Sequence, residues 1–361
     1  MKPDREQYII LNALKHYCNP SAKVHAVNED VGLDDMAKLI AAALDMGVLH
    51  VVMHYIDGNP AFSKWQSYAD AYHAVTDIVN ELHLQEAERI SNFLSAADIP
   101  HVFLKGIYFN NSLLPSNGKY LSGDIDLLIK PGAIPAVKEL MIENSYSQKV
   151  QIILGNVVEV PDSEIGKIEE EHYELYPFNR IAEVPDLLPY QSLIKSFFDN
   201  PIFYFENGKA YLSIQFDIHH NLSLGIEGDD VWKDFQSMAI GDSISQTLSN
   251  ETYCWFLAAR FYHEMMVLNE KNVKLLCPLS HLVSSGSIDF DKVIQVAKKY
   301  TLEPSLFYVF SFLRNWLEID VPAGFLAEME GALQKRSLRD WGDFQAKMLE
   351  IRPMYRVAPI A

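Results

Sequence analysis

The chain has 361 residues, of which 49% are hydrophobic and 22% are charged, as in folded globular proteins rather than in disordered or collagen-like ones. Its formal net charge of −18 at pH 7 means that the average surface repels phosphate polymers, because duplex binding depends on lysine and arginine side chains. Long nucleic acids are therefore disfavoured as partners.

The cysteines and the apolar stretches indicate the cellular compartment of the protein. Cys18, Cys254 and Cys277 are odd in number and widely spaced, so neither a disulfide framework nor a zinc site is predicted. The first residues lack the pattern of a signal peptide, and the most apolar stretch, residues 39–53, is interrupted by polar residues. We expect a cytoplasmic protein without a membrane span.

Three regions follow one another along the chain. In residues 1–97, apolar residues recur at three- and four-residue steps, which predicts a helical N-terminal region. Residues 98–245 contain short apolar runs bounded by Gly, Ser, Asn or Pro, which indicate an α/β core with an acidic insertion around residues 150–210. Helical periodicity returns in residues 246–361, and this predicts a helical C-terminal region. The fold class is thus α+β.

The core contains the elements that matter for function. Residues 101–106 and 124–129 are predicted strands on either side of a short helix at residues 107–114. A second helix is predicted to end near Asn144. In residues 211–219 apolar and polar side chains alternate, which predicts a half-buried strand with one polar face.

Two carboxylates share one face of the strand at residues 124–129. Side chains alternate across a strand, so Asp124 and Asp126 point the same way, directly after the turn Ser122-Gly123. Neighbouring anions raise each other's pKa unless a cation lies between them, and carboxylate oxygens suit Mg²⁺ or Mn²⁺. Asp217 lies on the polar face of the other strand, and its presence strengthens the interpretation of Asp124 and Asp126 as a metal site.

These residues carry a resemblance to a known family. Leu104-Lys105-Gly106 is separated by 17 residues from Asp124-Ile125-Asp126-Leu127-Leu128. A third acidic strand contains Asp217-Ile218-His219. The pattern resembles the uncharacterised nucleotidyltransferases of the DNA polymerase β superfamily. The resemblance implies a polymerase β-like core, a short mixed sheet with helices, between the two helical regions.

The resemblance also implies roles for the motif residues. Asp124 and Asp126 would ligate metal that bridges a nucleoside triphosphate such as ATP, while Asp217 completes the site and activates the acceptor hydroxyl. Lys105-Gly106 stands where superfamily members place a Gly-Gly or Gly-Ser turn that faces the phosphates, with Ser122-Gly123 beside it. Family members commonly carry an arginine before the Asp-Ile-Asp strand, whereas this chain has only Lys119.

Some histidines and glutamates are weaker candidates. His219 shares the polar face with Asp217, so it is a candidate to orient that carboxylate or to contact phosphate, although a structural role is an equal alternative. His172 and Glu174 share one face of a predicted strand around residues 173–177 and suit either a substrate contact or an exposed strand face.

We therefore expect an enzyme that moves a nucleoside monophosphate from the triphosphate to a hydroxyl of a small molecule, peptide or protein and releases pyrophosphate. One alternative keeps the fold as an inactive nucleotide-binding or protein-interaction module. Another is a toxin that modifies protein or transfer RNA, but the net charge conflicts with RNA as its target.

Overall fold

The computed structural model describes residues 5–22, 32–153, 155–197, 202–223, 225–226, 228–333 and 344. Its Cα packing divides into two compact units, residues 73–249 and residues 1–72 with 250–361. The three-region division with boundaries after residues 97 and 245 stays a prediction, and much of the chain beyond residue 333 lies outside the described residues.

Helices make up most of the described chain. The α-helices are α1 (Arg5–Cys18), α2 (Leu33–Asp45), α3 (Leu49–Ile56), α4 (Gln66–Ala96), α5 (Gly106–Tyr108), α6 (Ile134–Glu143), α7 (Asp162–Glu171), α8 (Gln191–Phe197), α9 (Gly228–Val231), α10 (Asn250–His263), α11 (Leu276–Ser284), α12 (Phe290–Tyr300), α13 (Glu303–Trp316) and α14 (Ala323–Leu333). A wider π-helical turn, Phe109–Leu113, continues α5, so the short helix predicted at residues 107–114 is confirmed. The C-cap of α6 is Asn144, as predicted.

The strands lie in the unit of residues 73–249. They are β1 (His101–Phe103), β2 (Ile125–Ile129), β3 (Val150–Ile153), β4 (Asn156–Glu159), β5 (Phe178–Glu183), β6 (Phe203–Glu206), β7 (Lys209–His219), β8 (Phe235–Ile240) and β9 (Ser243–Leu248). The central sheet has the order β1-β2-β7-β5, with β6 also paired to β7. Only β2 and β7 pair in parallel; β1, β5 and β6 join antiparallel. The sheet is therefore small and mixed.

The helical unit buries its apolar faces among its own helices. α1 packs against α2, α3 and α11, and α10 packs against α11, α12 and α13. Asp289 caps α12 by accepting hydrogen bonds from the amides of Asp291 and Lys292. No described helix combines the length and apolar character needed to cross a bilayer.

The strand β7 is more buried than its alternating sequence predicts. Its apolar face is fully buried: Leu212, Ile214, Phe216 and Ile218. Ser213 and His219 on the opposite face are also buried, each with 3% exposure. The expectation of a half-buried strand is wrong at these positions, because Asn179 of β5 accepts a hydrogen bond from the Ser213 hydroxyl and the segment around Tyr173 covers His219. The alternation of side chains identifies the polar face of a strand, whereas the burial of that face depends on the segments that pack against it.

The acidic insertion forms part of the sheet. Phe216 of β7 pairs with β2 and also with β5. β2 and β5 therefore lie on opposite edges of β7. β6 pairs with β7 on the same edge as β2, and β3 with β4 forms a separate hairpin. The strand predicted at residues 173–177 is wrong: the segment makes only an isolated bridge between Glu174 and His219 before β5 begins.

The hairpin of β8 and β9 was not expected from the sequence. Its turn contains Gly241 at a φ of 55°, where an added Cβ would lie 2.2 Å from a carboxylate oxygen of Glu88. That carboxylate accepts the amide of Asp242 at 2.9 Å. The hairpin thus depends on a contact with α4, which lies more than 150 residues earlier in the sequence.

Candidate metal centre

Three aspartates converge at the ends of β2 and β7. Asp124 directly precedes β2, Asp126 lies within it, and Asp217 lies in β7. The parallel register pairs Asp126 with Asp217, so their side chains point to the same side of the sheet. One ligand oxygen from each carboxylate lies within 4.8 Å of the others. The structure therefore brings together the three residues that the sequence assigned to metal.

The electrostatic environment differs between two of these carboxyls. Burial, then the negative charges of Asp124 and Asp126, raise the pKa of Asp217 well above its usual range. Burial also acts to raise the pKa of Asp126, but the Lys105 ammonium and the hydrogen bond from His219 outweigh it, so that pKa lies well below its usual range. A cation bound among the three carboxylates would relieve the repulsion that Asp124 and Asp126 exert on Asp217.

Lys105 joins the strand β1 to α5 in an unusual backbone conformation. Its φ of 42° and ψ of −111° lie in a region that glycine adopts readily and other residues rarely do. The Leu104 amide donates to the Asp126 carbonyl at 3.0 Å, and the Phe109 amide donates to the Lys105 carbonyl at 2.8 Å, so the turn is held on both sides. Its ammonium forms an ion pair with Asp126 Oδ1.

Gly106 and Ser122 pack against each other beside the aspartates. A Cβ added to Gly106 would lie 2.4 Å from Ser122 Oγ, a separation at which one of the two must move. The Ser122 hydroxyl donates to the Asp124 carbonyl at 2.8 Å and so supports the turn into β2. A Cβ added to Gly123 would meet nothing within 4 Å, so packing does not require glycine there.

His219 contacts a different aspartate from the one its sequence position suggests. Its Nε2 lies 3.0 Å from Asp126 Oδ1 on the neighbouring strand, and its Nδ1 lies 3.4 Å from Glu174 Oε2. Asp217 instead accepts a hydrogen bond at 2.8 Å from Gln215, which lies two residues earlier on the same face. The alternation of residues 211–219 already places Gln215 on the same face as Asp217, so this contact could have been expected from the sequence.

Two buried asparagines beside the site were missed altogether. Asn80 of α4 and Asn110 of the π-helical turn both donate to the carbonyl of Tyr120, at 3.1 and 3.0 Å. The Tyr120 amide donates back to Asn110 Oδ1 at 3.2 Å. These contacts fix the loop that leads into Asp124, and no local sequence pattern announces them.

The donor set fits a hard divalent cation. All three side chains offer carboxylate oxygens, the ligand type that Mg²⁺ and Mn²⁺ prefer, and they come close enough to share one ion. Burial, then the negative charges of Asp124 and Asp126, raise the pKa of Asp217, and a cation between the three carboxylates would counteract that rise. Similar arrangements of carboxylates hold metal against phosphate oxygens.

Comparison with known proteins agrees with this chemistry. A family model described as "Uncharacterised nucleotidyltransferase" matches residues 33–318, a span that contains the three aspartates, Lys105 and His219. Neither the curated proteins nor the solved structures gave a significant match. Because the family match covers well over half of the chain, the protein belongs to this family of uncharacterised nucleotidyltransferases.

Proposed function

We propose that the protein is a divalent-metal-dependent enzyme that transfers a nucleoside monophosphate from a nucleoside triphosphate to a hydroxyl group of a small molecule, peptide or protein. The observation that carries the proposal is the group of three carboxylates, contributed by neighbouring parallel strands of a chain in this family. The small mixed sheet with flanking helices supports a polymerase β-like core.

Each aspartate has a task in this reaction. Asp124 and Asp126 hold the cation. Lys105 and His219 both contact Oδ1 of Asp126 and keep that carboxylate in place. Asp217 completes the site and accepts the proton of the acceptor hydroxyl. When bound, the metal neutralises charge on the triphosphate oxygens.

The transfer is an in-line displacement. The acceptor oxygen forms a bond to the α-phosphorus, the bond between the α-phosphorus and the bridging oxygen breaks, and pyrophosphate leaves with the bonding electrons. The turn of Lys105 and Gly106, with Ser122 and Gly123 beside it, faces the phosphates in this arrangement. Positioning and charge neutralisation supply most of the rate increase in such reactions.

Pyrophosphate release tests the proposal. We expect release from at least one nucleoside triphosphate with Mg²⁺ or Mn²⁺ and a panel of acceptors, including the protein itself, with label from the α-phosphate on the acceptor. Asp124→Asn and Asp126→Asn should each lower the rate more than about 100-fold, the upper range for residues one step removed from a metal ligand. Asp98→Asn, an exposed aspartate, is the matched control and should match wild type.

Two results would count against the proposal. Release that survives both substitutions would remove the aspartates from the reaction. Nucleotide binding in a calorimetric titration, with no release under any condition, would favour the inactive binding module instead.

A further inference from the structure

A short piece of the acidic insertion is fastened to the end of β7, next to the three aspartates. The Leu175 amide donates to the Ile218 carbonyl at 2.8 Å, and the His220 amide donates to the Tyr173 carbonyl at 2.9 Å. Between these bonds, Glu174 and His219 face each other as an antiparallel bridge. Backbone pairing thus holds Glu174 beside His219 independently of either side chain.

The imidazole of His219 connects this segment to the metal-binding strand. It is 3% exposed, and its two nitrogens face different carboxylates: Nε2 faces Asp126 Oδ1 at 3.0 Å, and Nδ1 faces Glu174 Oε2 at 3.4 Å. The ring of Tyr173 stacks on it with centroids 6.0 Å apart and planes inclined by 25°. The ring is therefore fixed both in its plane and across its face.

Lys105 and His219 contact the same carboxylate oxygen of Asp126. Lys105 Nζ and His219 Nε2 each contact Oδ1. When one oxygen of a carboxylate is held by hydrogen bonds, the other oxygen points in a fixed direction. Loss of a group that orients a metal ligand in this way typically lowers metal affinity by about 10- to 100-fold.

We propose that Glu174 is a positioning residue contributed by the insertion: it fixes the His219 imidazole, which holds Asp126 Oδ1 and leaves Oδ2 directed at the cation shared with Asp124 and Asp217. The proposal rests on the metal site of the proposed function and deepens it. The insertion, which the family resemblance leaves without a role, then helps to set the affinity of the site for metal. Glu174 touches neither metal nor substrate in this arrangement.

Binding of Mn²⁺ alone to the purified full-length protein, followed by the paramagnetic resonance signal of the free ion, tests the proposal without any turnover. Glu174→Gln preserves the shape of the side chain and removes its charge, and we expect it to weaken Mn²⁺ binding about 10-fold. Glu171→Gln makes the same change of charge at an exposed position three residues earlier and should leave the affinity unchanged. Melting temperatures of all variants establish that each is folded, and Glu174→Ala replaces Glu174→Gln if the latter is not.

A double substitution separates positioning from a simple effect of charge. In His219→Gln the side-chain amide reaches toward Asp126 but offers nothing at the position of Nδ1, so Glu174→Gln should add less than about a twofold loss in that background. If Glu174→Gln weakens Mn²⁺ binding equally with and without His219, the glutamate acts through its field and the proposal is wrong. Unchanged affinity in Glu174→Gln also overturns it. If wild type binds no Mn²⁺, or binds it no better than Asp217→Asn, the metal site itself fails, and the proposed function with it.

Discussion

At the scale of single residues, Lys105 combines a strained backbone with a charge that the site uses. Its φ of 42° is unfavourable for any side chain with a Cβ, and non-glycine residues in such regions cost about 1–3 kcal/mol. Glycine would relieve this cost but would remove the ammonium that pairs with Asp126. Lysine at this position therefore accepts an unfavourable backbone conformation and supplies the ion pair with Asp126.

Substitution of Lys105 separates the two effects. Lys105→Gly and Lys105→Met both lose the ion pair, so both should lose activity, but only glycine relieves the backbone. We expect Lys105→Gly to be about 1–2 kcal/mol more stable than Lys105→Met in urea denaturation. The same pair of substitutions at Lys119, whose φ of −62° suits any residue, should show the opposite order, because glycine makes the unfolded chain more flexible. If the two Lys105 variants show the same order of stability as the two Lys119 variants, the backbone at Lys105 is not strained.

At the scale of elements, the π-helical turn after α5 fixes the loop into β2. Asn110 in this turn is 3% exposed, and its side chain both donates to and accepts from the backbone of Tyr120. It also donates to the amide oxygen of Asn80 at 3.2 Å, so the two asparagines form one buried network. π-Helical turns are rare and are often found at functional sites. Here the wider turn places Asn110 where it reaches a loop ten residues later in the chain.

Truncation of Asn110 should loosen that loop. Asn110→Ala leaves the amide of Tyr120 buried without its acceptor, so we expect a loss of about 1–3 kcal/mol in the free energy of unfolding. Hydrogen exchange at the Tyr120 amide should become faster than in wild type. Asn111→Ala is the matched control, since the exposed Asn111 donates only to the Ile107 carbonyl within the same turn. An unchanged exchange rate at Tyr120 in Asn110→Ala would contradict the role given to the asparagine.

At the scale of the whole molecule, each unit contains a buried histidine that resists protonation. Burial, followed by the nearby charges of Lys274 and His54, lowers the pKa of His50 to about 3. Burial lowers the pKa of His83 in the other unit to about 4. Because the unfolded chain protonates these side chains near pH 6.5, their contribution to stability is complete above that pH and is lost as the pH falls toward the folded values.

His50 should therefore account for part of the acid sensitivity. Between pH 7 and pH 5 the unfolded state gains a proton on this residue while the folded state does not, which lowers stability by about 2 kcal/mol. In His50→Gln the difference in unfolding free energy between the two pH values should shrink by about that amount, whatever the substitution costs at pH 7. A pH dependence that stays the same in His50→Gln would show that the folded protein protonates His50 as readily as the unfolded chain.

Local sequence patterns determined much of the fold and the composition of the candidate site. The alternation of side chains along a strand put Asp124 and Asp126 on one face, and it put Asp217 on the polar face of β7, because the period of a strand is a local property. The short helix after Lys105 was predictable for the same reason. The metal, the triphosphate and the roles of the individual residues stay predictions.

Tertiary structure decided which of these residues meet. The parallel register that sets Asp126 beside Asp217 joins positions 91 residues apart, and strand register depends on packing along the whole sheet. His219 turned to Asp126 rather than to Asp217, and Glu174 reached it through the insertion, because hydrogen-bond partners are set by three-dimensional proximity and leave no periodic mark in the sequence.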